Sequence, residues 1–344
     1  PQSTSSDDEV ALAESRRDVD SKLVHFDGPL AITGHDLWCT PTMKIGRSTY
    51  GSVYKVTLED GSLLAVKRLQ ENFTKGNKEF EAEATVLGKI RHPNLLAFRA
   101  YYLELEPKGE KLLIFDYMPK KSLSACLHGC DRNTRWDWPT RMRIAKGTAR
   151  GLAYLHDDMS IIHFNLTSMN VLLDEQCNPK IADFGLFRLM TAAANWSVLC
   201  NANFLGYRAP ELSAMEEANT KTDVYNLGII ILELLTGKSP ADSTDGMYLL
   251  QWVASNVTKG SIEGLIDWDI KRKPWYSLEE ELTGTLNLAL RCVDPSPSVR
   301  PEAREVLRQL EQIRPNEEGS DGRAARSGSK LVKKKLVPKF WRKR

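Results

Sequence analysis

No run of about 20 apolar residues, the length that spans a bilayer, occurs in this 344-residue chain. The longest greasy stretch, Val224 to Leu235, is interrupted by Asn226 and Glu233, so no membrane-spanning helix is predicted. Cysteine is scarce and unpaired in pattern. The six residues Cys39, Cys126, Cys130, Cys177, Cys200 and Cys292 contain no CxxC pair, which fits neither a secreted disulfide framework nor a zinc site and predicts a reduced, cytosolic chain. A dominant charge sign is missing as well, since 47 basic residues face 45 acidic ones for a net +2. Ten of those cations lie between Gly319 and Arg344 against Asp321 alone, leaving −7 on the rest, which excludes a general nucleic-acid-binding body. The opening PQSTSSDDEV has neither an initiator methionine nor an apolar signal segment, and the chain is expected to be part of something longer. What is present, 42% hydrophobic and 27% charged residues, is ordinary globular composition and excludes collagenous, coiled-coil and disordered classes. At roughly 150 residues per domain the length suits two domains or one bilobed unit with tails.

Residues 1–39 read as a flexible, juxtamembrane-like arm, polar and without sustained periodicity, in which Ser3, Thr4, Ser5 and Ser6 precede Asp7. Thr49 to Leu69 alternates about a Glu59-Asp60-Gly61 turn and predicts a hairpin. Lys78 to Arg91 carries apolar residues at helical spacing that place Phe80, Glu83 and Leu87 on one face, so a carboxylate falls on the buried side and needs a cation. Leu112 to Tyr117 suits a central strand. Helices are predicted over Arg141–His156, Asp223–Leu235, Leu282–Val293 and Pro301–Ile313. A strand-rich first part and a helical second part give an α+β class, with boundaries at 40–117 and 118–314 and a basic flexible tail at 315–344.

Gly46-Arg-Ser-Thr-Tyr-Gly51-Ser-Val53 forms a turn between strands, and Lys67 ends the next strand. As architecture these are a hairpin and a solvated strand end. As chemistry they are a flap whose backbone N–H groups approach phosphates, with Lys67 as a point charge held by Glu83. Further along stand Ile161-Ile-His163-Phe164-Asn165-Leu166-Thr167-Ser-Met-Asn170, Ile181-Ala-Asp183-Phe184-Gly185 and Ala209-Pro210-Glu211. In that order and at those distances, residues 40 to 314 resemble the protein kinase superfamily, a bilobal fold with a small β-rich lobe and a large helical one. Lys22-Leu-Val-His-Phe-Asp-Gly28, Arg47-Ser-Thr-Tyr-Gly51, Arg99-Ala-Tyr-Tyr102, Trp138-Pro-Thr-Arg141 and Ala218-Asn-Thr-Lys-Thr222 make the chain similar to plant leucine-rich-repeat receptor-like kinases, especially the inflorescence-meristem branch.

The resemblance implies ATP and Mg²⁺ as ligands. Lys67 would contact the α- and β-phosphates and pair with Glu83, while Asn170 and Asp183 would hold the metal. Gly46 and Gly51 would bracket the phosphates. Val53, Ala65 and Leu172 would sandwich adenine, with Phe115 as gatekeeper and the backbone of Asp116 to Met118 as hinge. Glu211 with Arg300 and Asp223 would be architectural. The departures from the family pattern concern chemistry. Asn165 stands where the general base belongs, Thr167 where a lysine steadies the transferring phosphoryl group, and Phe204 where a threonine completes their triangle. Phe164 replaces the arginine that grips a loop phosphate, so phosphates on Thr191, Ser197 or Tyr207 would lack that partner, and Ser48 replaces the middle flap glycine. Base loss alone removes about 10²–10⁴ in rate.

These residues predict a nucleotide-binding pseudokinase, the cytoplasmic domain of a receptor-like protein at the plasma membrane, whose partners are other receptor kinases or signalling proteins. A slow Ser/Thr kinase and a nucleotide-free scaffold are the alternatives. The tail Lys330 to Arg344, with Leu331, Leu336, Phe340 and Trp341 among its cations, suits anionic lipid, at roughly 1 kcal/mol per cation, or a solvated tail.

Overall fold

The computed structural model describes residues 21–313, except 28–31, 33–36, 38–41, 49, 106–108, 130–135, 205, 215–217, 245 and 272–277. The basic tail and the first 20 residues of the arm therefore lie outside the described residues, as does the side chain of Phe204. The chain divides into two compact units. One comprises residues up to His92 with Leu96–Met118 and Gly185–Val198; the other comprises Pro93–Leu95, Pro119–Phe184 and Leu199 onward. The sequence boundary at 117 and 118 thus falls beside the structural one, but a later segment, Gly185–Val198, joins the first unit.

The first unit is an antiparallel six-stranded sheet built from β1 (Ser21–His25), β2 (Thr42–Ser48), β3 (Gly51–Thr57), β4 (Leu63–Leu69), β5 (Phe98–Glu104) and β6 (Lys111–Asp116), in the order β1-β5-β6-β4-β3-β2. The hairpin expected around Glu59 to Gly61 is β3–β4, closing at Thr57 opposite Leu63. Cross-strand partners share a face, so the register sorts the side chains. Val56, Leu64, Val66, Ala100, Tyr102, Leu112 and Ile114 form a buried core on one side, together with Ile32 and Leu37. Val53, opposite Lys67, and Ala65, opposite Phe115, fall on the other side. β1 corrects the reading of residues 1–39 as a flexible arm. It pairs with β5 from Ser21 opposite Glu104 to His25 opposite Ala100, and Phe26 then packs its ring 5.0 Å from that of Phe98. Asp27 accepts from Arg91 Nε at 3.0 Å and Arg99 Nη1 at 2.8 Å. This anchors the chain by charge where it has few apolar residues.

The helix expected over Lys78–Arg91 is α1 (Asn77–Gly88), which buries Phe80, Ala84 and Leu87. Gly51 has an architectural reason. A Cβ there would collide with the Arg68 carbonyl of β4, so close strand approach excludes any side chain.

The second unit is mostly helical. It begins with α2 (Leu123–His128), capped by Ser122, and α3 (Trp138–Asp157), capped by Asp137 with Pro139 in its first turn. The small hairpin of β7 (Val171–Leu173) and β8 (Pro179–Ile181) follows, then α4 (Ala192–Phe204), whose first half belongs to the first unit. Next are α5 (Thr220–Thr236), α6 (Leu249–Thr258), α7 (Trp268–Lys271), α8 (Glu279–Cys292) and α9 (Ala303–Gln312). Every residue of α5 from Thr222 onward is buried, as its all-round apolar sequence requires. Asn219 starts it with a capping box, and Gly237 ends it with φ of 67°. Arg141 is buried in α3 and donates to the Leu234 carbonyl at 2.8 Å and the Asp267 carboxylate at 2.5 Å. Glu211 and Arg300 form a bidentate pair at 2.7 and 2.8 Å, both almost wholly buried. No described helix is long and apolar enough to cross a membrane.

Candidate functional site

Several residues expected at the nucleotide lie in the first unit. Lys67 is buried on β4 between Val53 on β3 and Leu113 on β6. Val53 and Ala65 are only half-buried on the same face, which leaves an apolar surface beside the lysine. Phe115 is buried and stacks on Phe98 at 5.3 Å between ring centroids. Beyond it, the Asp116 carboxylate is gripped by Arg99 Nε at 2.8 Å and Nη2 at 3.1 Å, which fixes the strand end just before Met118. Gly46 lies on β2 opposite Val53 with open space around it, and Ser48 pairs with Gly51 across the turn. Ser48 Oγ is buried without a hydrogen-bond partner.

Glu83 has a partner that the sequence did not suggest. Its carboxylate accepts from Arg188 Nε at 2.7 Å, where the sequence assigned it to Lys67. The cation that a carboxylate on this face of α1 requires thus comes from the short 3-10 helix Leu186–Leu189. The segment carrying Arg188 is tied to the loop before α1 by backbone bonds, Lys75 N to Leu189 O at 2.9 Å and Thr191 N to Phe73 O at 2.8 Å. It is also tied to the flap turn, since Tyr50 donates its hydroxyl to Asn195 Oδ1 at 3.0 Å. Asn195 in turn donates to the Phe187 carbonyl at 2.9 Å. Sequence reasoning missed this segment, for which the only signal was the helix-forming run Ala192-Ala-Ala194. Arg188 and Glu83 are each about a third exposed or less, so their pair is worth about 1 kcal/mol or less. Arg188→Ala is accordingly expected to speed amide exchange at Lys75 and Thr191 by up to about fivefold. Unchanged exchange there would show that the backbone bonds hold the segment alone.

The second unit holds the loop of chemical interest. Asp223, fully buried on α5, accepts from His163 N at 2.6 Å, Phe164 N at 3.0 Å and His156 Nε2 at 2.9 Å. These bonds hold Phe164 at φ of 75°, a left-handed conformation that costs a bulky residue roughly 1–2 kcal/mol. His163 is completely enclosed, and burial pushes its pKa down, so the ring is neutral. It accepts from Asn165 N at 3.2 Å through Nδ1 and donates from Nε2 to the Ala182 carbonyl at 2.9 Å. Asn170 donates its amide to the Asn165 carbonyl at 2.8 Å, and its own carbonyl receives Ala182 N at 2.8 Å. Asn170 and Asp183 are therefore joined through one backbone link, with Asp183 at φ of 64°.

The donor chemistry fits magnesium. The Asn170 amide nitrogen is already used, which leaves its side-chain oxygen as the donor, and Mg²⁺ is held by one or two carboxylates with the rest of its shell from water and phosphate. No group of three His, Cys, Asp or Glu able to hold a metal by itself occurs among the described residues. Leu172 lies half-buried at the centre of β7.

Asn165, where the resemblance places the general base, carries an amide. Thr167 is almost fully buried, and its hydroxyl has no hydrogen-bond partner. Its neighbour Ser168 is well supported, donating from Oγ to Glu233 at 2.9 Å and from its backbone N–H to the Tyr207 hydroxyl at 3.0 Å. Tyr207 in turn donates to Glu233. Burial raises the Glu233 pKa, while the ring of His128, 2.6 Å away, acts against that. Tyr207 is a buried structural phenol, and no motif in the chain pointed to this network.

The comparisons follow this geometry. Residues 40–310 match the model of the protein kinase domain. A probable leucine-rich repeat receptor-like protein kinase of Arabidopsis thaliana, IMK3, is 57% identical over 305 residues, covering 89% of this chain and 38% of that protein. The chain thus spans well under half the length of this curated relative. The maize sucrose-induced receptor kinase 1 kinase domain, solved bound to AMP-PNP, matches with a TM-score of 0.78 and 37% identity, over 85% of this chain and 99% of that one. The pseudokinase domain of BIR2, an immune regulator of the RLK/Pelle family, matches with a TM-score of 0.73 and 33% identity, over 88% and 93% respectively. A sheet unit and a helical unit carrying these motifs in this order are what such domains share, and the chain belongs to the protein kinase family, with plant leucine-rich-repeat receptor-like kinases as its relatives.

Proposed function

We propose that this chain is a nucleotide-binding pseudokinase domain, the cytoplasmic part of a plant receptor-like protein, that signals by conformation. The observation that carries this reading is the contrast inside one loop. Asn170 and Asp183 keep oxygen donors suited to Mg²⁺, whereas Asn165 has no basicity and Thr167 buries an unpartnered hydroxyl where a cation belongs. When bound, ATP with Mg²⁺ supplies charge and mass that favour one arrangement of the chain. The chain's own part is to receive phosphates on Lys67, metal on Asn170 and Asp183, and adenine against Val53, Ala65 and Leu172, with Gly46, Gly51 and the backbone of Asp116 to Met118 alongside. Were Glu83 to leave Arg188 for Lys67 when nucleotide binds, nucleotide and the 186–198 segment would act in opposite senses. The receptor-like kinases among the relatives support receptor signalling partners.

A thermal-shift titration tests this. ATP with Mg²⁺ is expected to raise the Tm of the wild-type chain by a few degrees at about 100 times its Kd, where binding adds about 2.7 kcal/mol. Lys67→Met should abolish the rise. No shift at saturating ATP would reject nucleotide binding and leave a scaffold. The intact Asn170 and Asp183 favour a slow Ser/Thr kinase as second reading, and radiolabelled phosphate transfer that vanishes in Asp183→Asn would establish it.

A further inference from the structure

The two residues that follow β1 reach the end of β6 by two separate routes. The first is aromatic. The half-buried Phe26 ring lies 5.0 Å from that of Phe98, and Phe98 stacks on Phe115 at 5.3 Å between centroids. Phe98 is opposite Phe115 across β5 and β6, and Phe115 is opposite Ala65 across β6 and β4, so one row of side chains runs from the arm to the surface expected to receive adenine. The second route is ionic. Asp27 accepts from Arg99 Nη1 at 2.8 Å, and the same guanidinium gives Nε and Nη2 to Asp116 at 2.8 and 3.1 Å. Arg91 Nε lies 3.0 Å from both oxygens of Asp27. All of these residues belong to the first unit. Phe26 thus reaches Phe115, and Asp27 reaches Asp116, each through one intermediary on β5, Phe98 or Arg99.

Anchoring the arm does not by itself require this. Arg91, fixed by its own bonds to the Gly88 and Ile90 carbonyls at 2.8 and 2.7 Å, would hold Asp27 without Arg99. The corner is instead shaped to one position. A Cβ on Gly88 would strike the Phe26 ring, and Phe26 N donates to the Arg99 carbonyl at 2.9 Å. Removing the Asp27 charge leaves Arg91 and Arg99 side by side without the anion between them, which disturbs the grip of Arg99 on Asp116. Removing the Phe26 ring takes away packing on Phe98, the neighbour of Phe115.

We propose that Phe26 and Asp27 are positioning residues for Phe115 and Asp116, so that docking of this corner on β5 sets nucleotide affinity, an inference that rests on the nucleotide reading above. With the corner docked, the end of β6 is held where the backbone of Asp116 to Met118 would meet adenine. With it lifted, that end loosens, and affinity falls in proportion to the docked fraction. Whatever holds or pulls the polypeptide ahead of Ser21 therefore acts on the nucleotide site from outside it.

The test uses the full chain and the variants Phe26→Ala, Asp27→Asn, Asp27→Glu and Lys22→Ala. Amide hydrogen exchange without nucleotide reads the strand, and titration with a fluorescent ATP analogue and Mg²⁺ reads the affinity. In Phe26→Ala and Asp27→Asn, exchange at Phe115 and Asp116 is expected to quicken by about fivefold, while Val56 on β3, a reporter of the sheet as a whole, stays unchanged. Affinity is expected to fall by a similar factor. Asp27→Glu keeps the charge and should retain it, and Lys22→Ala, which removes only the contact to Glu81, should leave both readouts alone. A change in one variant only assigns the coupling to its route, aromatic or ionic. Unchanged exchange at Phe115 and Asp116 in both variants overturns the proposal, as does equal quickening at Val56 or faster exchange with unaltered affinity. Faster exchange in the variants, when even the wild-type chain binds no nucleotide, rejects the nucleotide reading and leaves the positioning of β6 standing.

Discussion

Glu211→Ala is expected to lower the stability of the chain by about 3–5 kcal/mol, because it leaves the Arg300 guanidinium buried without its carboxylate. Arg300 is 1% exposed, and beyond Glu211 its polar and ring partners among the described residues are backbone carbonyls and the face of the Tyr225 ring, 4.9 Å away. Neutral acceptors do not replace a bidentate carboxylate. Urea unfolding followed by tryptophan fluorescence measures the loss, which corresponds to a Tm decrease of roughly 6–15 °C. A loss under about 1 kcal/mol would mean that the surrounding carbonyls suffice. The same pair sets an acid limit. Burial pushes the Glu211 carboxyl up, but the Arg300 hydrogen bonds and charge and the Thr222 hydroxyl at 3.0 Å outweigh it, leaving the group below its ordinary 4.5. A carboxylate with lowered folded-state pKa contributes stability that is fully present above 4.5 and is lost as pH falls through the lower, folded value. Glu211→Gln, already neutral, should therefore show a shallower loss of stability below that pH than wild type.

Asn165→Asp combined with Thr167→Lys is expected to raise phosphoryl transfer by at least about 10²-fold over the unaltered chain. The loop is already positioned for it. Asp223 holds His163 and Phe164, His163 holds Asn165 N and Ala182, and Asn170 ties the loop to the residue before Asp183. An aspartate at 165 supplies the missing proton acceptor. A lysine at 167 must reach out of a position that is 2% exposed, so the double variant is also expected to be less stable than Asn165→Asp alone. Radiolabelled autophosphorylation, with Asp183→Asn in the same background as blank, reads the gain. If the double variant stays at the blank, Phe204 or the Glu83–Arg188 pairing is the dominant block, and Arg188→Ala added to it should then release activity.

The fold was legible wherever apolar periodicity and turn chemistry agreed. The β3–β4 hairpin showed in alternation about Asp60-Gly61, and α5 in the mainly apolar stretch from Val224 to Leu235, interrupted by Asn226 and Glu233, between Asn219 and Gly237. β1 escaped because Ser21 to His25 has little apolar content of its own. It is held by backbone pairing to β5 and by Asp27 on two arginines that are distant in sequence. Asp223, expected to be architectural, is found holding the backbone of His163 and Phe164. Sequence could not reveal which cation Glu83 takes. Arg188 is 105 residues away, and only the path of residues 186–195 across the first unit brings it to Glu83. The orphan hydroxyl of Thr167 was equally hidden, because a threonine in a loop ordinarily finds water or a carbonyl.

The Arg188–Glu83 contact also changes what a weak ligand would mean. If the arrangement with Glu83 released is held by about one molecule in ten, any compound that needs it binds roughly tenfold more weakly than the pocket's own chemistry dictates. Poor apparent affinity for nucleotide would then report a conformational equilibrium rather than a damaged pocket. A small basic fragment that took the place of Arg188 at Glu83 would compete with nucleotide, whereas one that wedged the 186–195 segment away from α1 would enhance it. The two could be told apart by whether adding the fragment raises or lowers the nucleotide concentration needed for half-saturation.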